Sequence, residues 1–186
     1  NVRCIDKAFL SLTRQEQTDL LQDIDALITD EPRQCIGIST ADCVPVLIHD
    51  KAHQAVAAIH AGWRGTVKRI SQNALSMMHE KYGTIASDCV AVIGPSISQQ
   101  AFEVGNEVRI AFEEAGFPTS IIDNTTWSKP HIDLWAANVY LLEEAGVKLS
   151  NIQIANVCTY VHSDVFFSAR KLGINSGRIY SAIFLN

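Results

Sequence analysis

Residues 39–65 read "STADCVPVLIHDKAHQAVAAIHAGWRG". Two apolar runs, 44–49 and 54–60, stand on either side of the polar stretch 50–53. Their short length and β-branched content predict two strands joined by a turn. If Lys51 and Ala52 are the central residues of a two-residue turn, Asp50 pairs with His53. Antiparallel pairing then sets Cys43 directly opposite His60. Directly opposed side chains have Cβ atoms about 4.5–5.5 Å apart. A thiolate and an imidazole at that separation can share a metal ion, zinc lying about 2.3 Å from sulfur and 2.0–2.1 Å from nitrogen. Lys-Ala lacks the Asn-Gly chemistry that two-residue turns prefer. The register hangs on that turn, because a slip of one residue sends one of the two side chains to the opposite face. The plainer alternative makes Cys43 a small core hydrophobe and His60 a hydrogen-bonded structural residue.

Beyond His60, Gly62 and Gly65 bracket Trp63 and Arg64, and a helix is predicted to start near Thr66. Glycines let the backbone approach a ligand closely, and free N–H groups at a helix start favour anions. Arg64 presents a planar cationic fork suited to phosphate or carboxylate, and Trp63 a stacking face. Together they suggest a pocket for a ring bearing an oxygen-rich group. The competing account has Trp63 in the core, Arg64 in a salt bridge and the glycines merely turning the chain.

Outward from this segment, strands and helices interleave. Thr13-Arg14-Gln15-Glu16 fits a capping box for a helix over 14–23. Residues 35–40 read as a strand, as do 89–94, 151–157 and 178–186. Apolar spacing predicts helices over 66–80, 107–116 and 133–146, the last with Asp133 as N-cap and Gly146 at its end. Pro45 cannot donate to a ladder, so its strand lies at an edge or is only just starting there. The prediction is an α/β (α+β) fold, a single domain over 1–186 with a mixed β-sheet flanked by helices.

Composition narrows the function classes. Charged residues make up 19% and apolar residues 47% of the 186, as in ordinary globular proteins. No run approaches the roughly 20 apolar residues of a membrane span. Net charge is −5 without a basic stripe, which argues against nucleic acid and anionic membrane as partners. Cys4, Cys35, Cys43, Cys89 and Cys158 are odd in number and widely spaced, so free thiols in a reducing, cytoplasmic compartment are expected.

The stretches "TADCVPVLI" (40–48), "HAGWRG" (60–65), "IGPSISQQAFEVG" (93–105) and the C-terminal "CTY", "FFSAR" and "GR" resemble the YfiH-type family, also called the multicopper polyphenol oxidase or laccase domain family. The resemblance implies a metal site of His, Cys and His, with Cys43 and His60 as two of its ligands. The third, a His ahead of the "TADC" segment, would fall upstream of Asn1, so the chain is expected to be an N-terminally truncated member with an incomplete site. The family implies purine nucleoside chemistry, namely phosphorolysis of adenosine or inosine and deamination of adenosine, with nucleoside and phosphate as small-molecule partners. An older reading of the family is copper-dependent phenol oxidation. A ligand-binding domain without catalysis is a third possibility.

Ligand types favour zinc, with copper as the alternative. One thiolate and two imidazoles with an open position suit zinc that activates water or polarises a substrate, although the same ligands describe a blue-copper site given a weak axial ligand. A multicopper centre needs many histidines, and the chain has six, scattered. Asp42 is the first candidate for proton transfer, or else orients a ligand His or caps the local backbone, and Glu103 is the second. Arg64 is the favoured phosphate or substrate contact, with Ser168 and Arg170 as further ones and Trp63 as the base-stacking surface. Cys158 is read as a buried structural thiol beside the pocket.

Overall fold

The hairpin of residues 39–65 forms, but with a different loop. In the computed structural model, which describes residues 1–186, β4 (Val44–Asp50) and β5 (Ala55–Ala61) pair antiparallel with Asp50 opposite Ala55 and Pro45 opposite His60. Four residues rather than two close the turn. The Asp50 carboxylate, fully buried, accepts the N–H groups of Ala52 and His53 at 3.0 and 3.1 Å and meets His53 Nδ1 at 2.8 Å. Gln54 takes the one left-handed conformation of the loop, φ 49°. A two-residue turn would place φ above zero at both Lys51 and Ala52, which neither residue favours. The expected pairing of Cys43 with His60 is therefore shifted by two residues. A shift of two preserves the face, because side chains alternate with period two, so Cys43 stays on the same side of the sheet as His60, as a diagonal neighbour.

The remaining elements are β1 (Val2–Cys4), α1 (Lys7–Leu10), α2 (Arg14–Leu20), β2 (Ala26–Thr29), β3 (Cys35–Thr40), α3 (Trp63–Val67), α4 (Ile70–Tyr82), β6 (Cys89–Ile93), α5 (Asn106–Glu114), β7 (Ile122–Asp123), β8 (His131–Ile132), α6 (Leu134–Glu144), β9 (Ile152–Ile154), α7 (Ala169–Leu172) and β10 (Ile179–Phe184). A six-stranded mixed sheet runs β1-β2-β5-β4-β6-β9, and β10 pairs antiparallel with β3 in a separate ribbon. The fold is thus the mixed α/β arrangement expected. Pro45 is the second residue of a central strand, where its missing N–H falls before the ladder to β6 begins at Val46.

The sheet's two faces are sorted by alternation. Val44, Val46 and Ile48 of β4 and Ala57, Ile59 and Ala61 of β5 join Met78 of α4, Phe112 of α5 and Leu141 of α6 in the larger core. Val56 and Ala58, on the opposite face, pack with Ile36 and Ile38 of β3 and with Phe9 and Leu185. Cys43 and His60 share the parity of this second face. Helices therefore cover one side, and the β3–β10 ribbon with α1 covers the other.

The helix expected over 66–80 is two helices. Arg69 adopts φ 59° between α3 and α4, and its guanidinium is tied to Gln72 and Glu144. A buried polar trio holds the break in place: Asn138 of α6 donates to Thr66 Oγ1 at 3.3 Å, and Ser71 donates to Asn138 Oδ1 at 3.4 Å. Buried polar groups are retained where they are mutually satisfied, and here they anchor α3, which carries Trp63 and Arg64, against α4 and α6.

Candidate active site

Cys43 and His60 come together at Gly62. A β-carbon built on Gly62 would lie 3.0 Å from Cys43 Sγ and 3.7 Å from His60 Nε2. The thiol and the ring nitrogen thus face one point, and only glycine leaves that point open. Gly62 is also the N-cap of α3, and its carbonyl accepts Thr66 N–H at 2.8 Å. Burial, and then the charge of Asp42, push the Cys43 thiol up to about 11, so the isolated thiol is protonated at neutral pH.

His60 is held on its other side by a residue that the sequence reading missed. Asp25 precedes β2, whose register sets Ala26 opposite Ile59, and one step further Asp25 lies opposite His60. The Asp25 carbonyl accepts His60 N–H at 2.7 Å, and Asp25 Oδ1 lies 3.4 Å from His60 Nδ1. The signal was a short apolar segment with β-branched residues, "DALIT" (25–29), ahead of the more obvious strands.

Asp42 holds the backbone. It sits in a left-handed conformation, φ 79°, which Asp tolerates better than most residues. Its Oδ1 accepts from Thr159 Oγ1 and its Oδ2 from the Arg170 N–H, each at 2.7 Å, while its carbonyl accepts Ile97 N–H at 3.0 Å. Both carboxylate oxygens are engaged in pinning the 158–170 segment to the start of β4. Ser168 is fully buried, and its hydroxyl accepts Lys171 N–H as the N-cap of α7, so it supports Arg170 from within the segment. Cys158 is buried as expected and accepts Ser98 N–H at 3.3 Å. Burial acts to raise this thiol, but hydrogen bonds from Ser98, Val161 and Tyr160 outweigh it and lower it.

Trp63 and Arg170 meet in one cavity of about 420 Å³, lined also by Phe102, Glu103, Glu107 and Lys129. Ligand cavities run to several hundred Å³. The Arg170 guanidinium donates to the Glu103 carbonyl at 2.8 Å and lies 5.5 Å from the centre of the Phe102 ring. Lys129 Nζ reaches Glu103 Oε1 at 2.7 Å, and this pairing holds the Glu103 carboxyl below its usual range. Arg64 is exposed, with its guanidinium 4.2 Å over the Trp63 ring, outside this lining. The cavity and the donor pair are linked along the chain, because Trp63 follows Gly62, and Asp42, which precedes Cys43, accepts the Arg170 N–H. Phe102 and Lys129 were not singled out from the sequence; both sit on loops whose place is set only by packing. A second cavity of about 280 Å³, lined by Leu21, Ile24, Leu27, Ile38 and Ser39, flanks the His60 ring on the ribbon side.

A thiol and an imidazole are donors that zinc and copper both take, and the two converge where no side chain fills the space. These residues fit as part of a metal site. No group of three or more His, Cys, Asp or Glu that could hold a metal ion is gathered in the structure. No helix is long and apolar enough to cross a membrane.

The family model described as multi-copper polyphenol oxidoreductase laccase matches residues 2–186. A purine nucleoside phosphorylase of Bacteroides thetaiotaomicron is 51% identical over 188 aligned positions, which cover 100% of this chain and 70% of that protein. An adenosine deaminase, RL5, from an unknown prokaryotic organism is 43% identical, over 98% of this chain and 70% of its own length. The crystal structure of the hypothetical protein YfiH of Bacillus licheniformis superposes with a TM-score of 0.91 at 27% identity, covering 100% of this chain and 70% of that one.

Proposed function

Because the chain belongs to the multi-copper polyphenol oxidoreductase laccase family, with relatives named for purine nucleoside processing, we propose that the Gly62 site and its adjoining cavity carry out metal-dependent purine nucleoside chemistry. The reactions are phosphorolysis of adenosine or inosine and hydrolytic deamination of adenosine. The observation that carries this reading is the convergence of Cys43 Sγ and His60 Nε2 on the point where a Gly62 β-carbon would stand, one residue along the chain from a cavity lined by aromatic rings, two cations and two carboxylates.

Each side chain has work that its position supports. The Trp63 and Phe102 rings offer stacking faces for a purine, and aromatic stacking on a base is worth about 1–3 kcal/mol. Arg170 and Lys129 are the cations of this cavity that could take phosphate, Arg170 as a planar fork and Lys129 as a point charge that would have to exchange its Glu103 partner for the phosphate, with Glu107 a second carboxylate in the lining. Arg64, exposed over the outer face of Trp63 and outside the lining, is a third cation nearby through that ring. In phosphorolysis an oxygen of hydrogen phosphate bonds to C1′ as the C1′–N9 bond breaks, and the purine leaves as its N–H form with the proton that hydrogen phosphate gives up, directly or through water. The residues' part is to hold phosphate and sugar in line and to offset the phosphate charge. Asp42 keeps Arg170 in place through its N–H. Cys43 and His60 would hold zinc, which supplies a polarised or activated water when bound.

The test is metal analysis of full-length protein followed by incubation with adenosine, with and without phosphate. Adenine that depends on phosphate, or inosine and ammonia, is the expected product set. Zinc-loaded protein that releases none of these would overturn the reading. Oxygen uptake with phenols by the copper-loaded protein would instead favour the oxidase chemistry.

A further inference from the structure

We propose that Asp25 is a positioning residue that locks His60 in the tautomer with its proton on Nδ1, leaving the bare Nε2 aimed at the open point beside Cys43. The inference goes beyond the site described above and rests on that reading only for what the bare nitrogen binds.

Three adjacent strands make the arrangement. β2, β5 and β4 are neighbours in the sheet, and Asp25, His60 and Cys43 stand at the matching ends of all three. Asp25 is opposite His60 across one ladder, and Cys43 is its diagonal neighbour across the other. The imidazole therefore lies between a carboxylate and a thiol, with one nitrogen turned to each side. Asp25 Oδ1 is 3.4 Å from Nδ1, and Nε2 is the atom that faces Gly62.

The chemistry of the groups decides the proton's place. A carboxylate has no hydrogen to give, so Nδ1 must donate. In a neutral imidazole the other nitrogen then carries a free lone pair. A carboxylate behind a ligating imidazole both fixes ring orientation and raises ligand basicity, and losing such a partner costs about 10–100-fold in metal affinity. The backbone bond from His60 N–H to the Asp25 carbonyl fixes the spacing of the two residues whatever side chain stands at position 25. Substitution of the Asp25 side chain, which is 44% exposed, thus removes the acceptor without unzipping the strands.

The experiment reads the ring nitrogens directly. In metal-free protein labelled with ¹⁵N, the His60 resonances, assigned by comparison with His60→Gln, are expected to show a protonated Nδ1 and a bare Nε2. In Asp25→Ala the proton should move to Nε2 in most molecules. Asp25→Asn, whose side-chain carbonyl still accepts, should keep the wild-type tautomer. A wild-type ring protonated on Nε2, or a tautomer unchanged in Asp25→Ala, would overturn the inference. Chelator competition with zinc is the second readout, with a 10–100-fold loss expected in Asp25→Ala and less in Asp25→Asn. If the tautomer shifts as stated and neither protein binds zinc, the positioning role stands and the metal reading falls.

Discussion

The Asp42 carboxylate accepts the backbone N–H of Arg170 at 2.7 Å, joining two residues 128 positions apart in the chain. Through it the segment that carries Arg170 is fastened beside the strand that carries Cys43. The same carboxylate takes the Thr159 hydroxyl at 2.7 Å, so one buried side chain closes two loops onto β4. Asp42→Ala should lower unfolding free energy by about 2–3 kcal/mol, since it strands the buried Thr159 hydroxyl and the part-buried Arg170 N–H. Asp42→Asn should cost less, because Asn keeps one acceptor oxygen and tolerates the positive φ. Urea denaturation of both variants measures this. Equal stability of Asp42→Ala and wild type would show that the 158–170 segment is held by other means.

Gly62 is open for a steric reason, its φ of −66° being available to any residue. An added methyl group would stand 3.0 Å from Cys43 Sγ, closer than such contacts normally come. Gly62→Ala should displace the thiol, reduce zinc affinity tenfold or more and lower stability by about 1 kcal/mol from overpacking. Isothermal titration of zinc into the variant, against Cys43→Ala as the zero, checks it. Native affinity in Gly62→Ala would mean that sulfur and imidazole do not meet there.

If the proposed cavity takes phosphate, Arg170 and Lys129 are the cations that would share its charge. Arg170→Lys keeps a positive charge but loses the planar fork that bonds to the Glu103 carbonyl and lies over Phe102. The KM for phosphate should rise about tenfold in Arg170→Lys, equivalent to about 1.4 kcal/mol, with kcat altered less. Steady-state kinetics with phosphate varied at saturating nucleoside is the measurement. An unchanged KM would move the phosphate to another cation, with Arg64 next in line.

Alkaline pH should weaken the fold through its buried thiols. Burial, followed by the charges of Asp50 and Asp88, pushes Cys89 up to about 12 from the 9.0 of a free thiol. Between those values the unfolded chain has released this proton and the folded chain has kept it. Folded protein then binds more protons than unfolded protein, so stability falls as pH rises, by at most about 1.4 kcal/mol per pH unit for one group. Below pH 9 the contribution is constant. Urea midpoints at pH 8 and pH 10.5 should differ, and Cys89→Ala should narrow the gap although it starts less stable. An identical gap in the variant would assign the slope to other groups.

Much of the local structure was legible in the sequence because it is decided locally. The capping box at Thr13 and Glu16 forms with both reciprocal bonds, and Asp133 caps α6 by accepting Ala136 N–H. The two strands of residues 39–65 were evident from their apolar runs. Their parity survived the error in the loop, because alternation depends only on counting by twos. Register did not survive it. Turn length depended on Asp50, whose carboxylate gathers two N–H groups and a histidine, and an apolar pattern contains no trace of that choice.

The sequence by itself determined the alternating faces, the helix caps and the presence of Cys43 and His60 near the ends of paired strands. Tertiary structure alone decided that β2 lies on the far side of β5 and brings Asp25 to His60, and that the helix after Gly65 breaks at Arg69 to fit Asn138. It also decided that Asp42 spends both oxygens on residues more than a hundred positions away. The reason is physical. Periodicity and capping act over a few residues, whereas a buried carboxylate or amide takes whichever distant partner the packed chain brings within hydrogen-bonding distance.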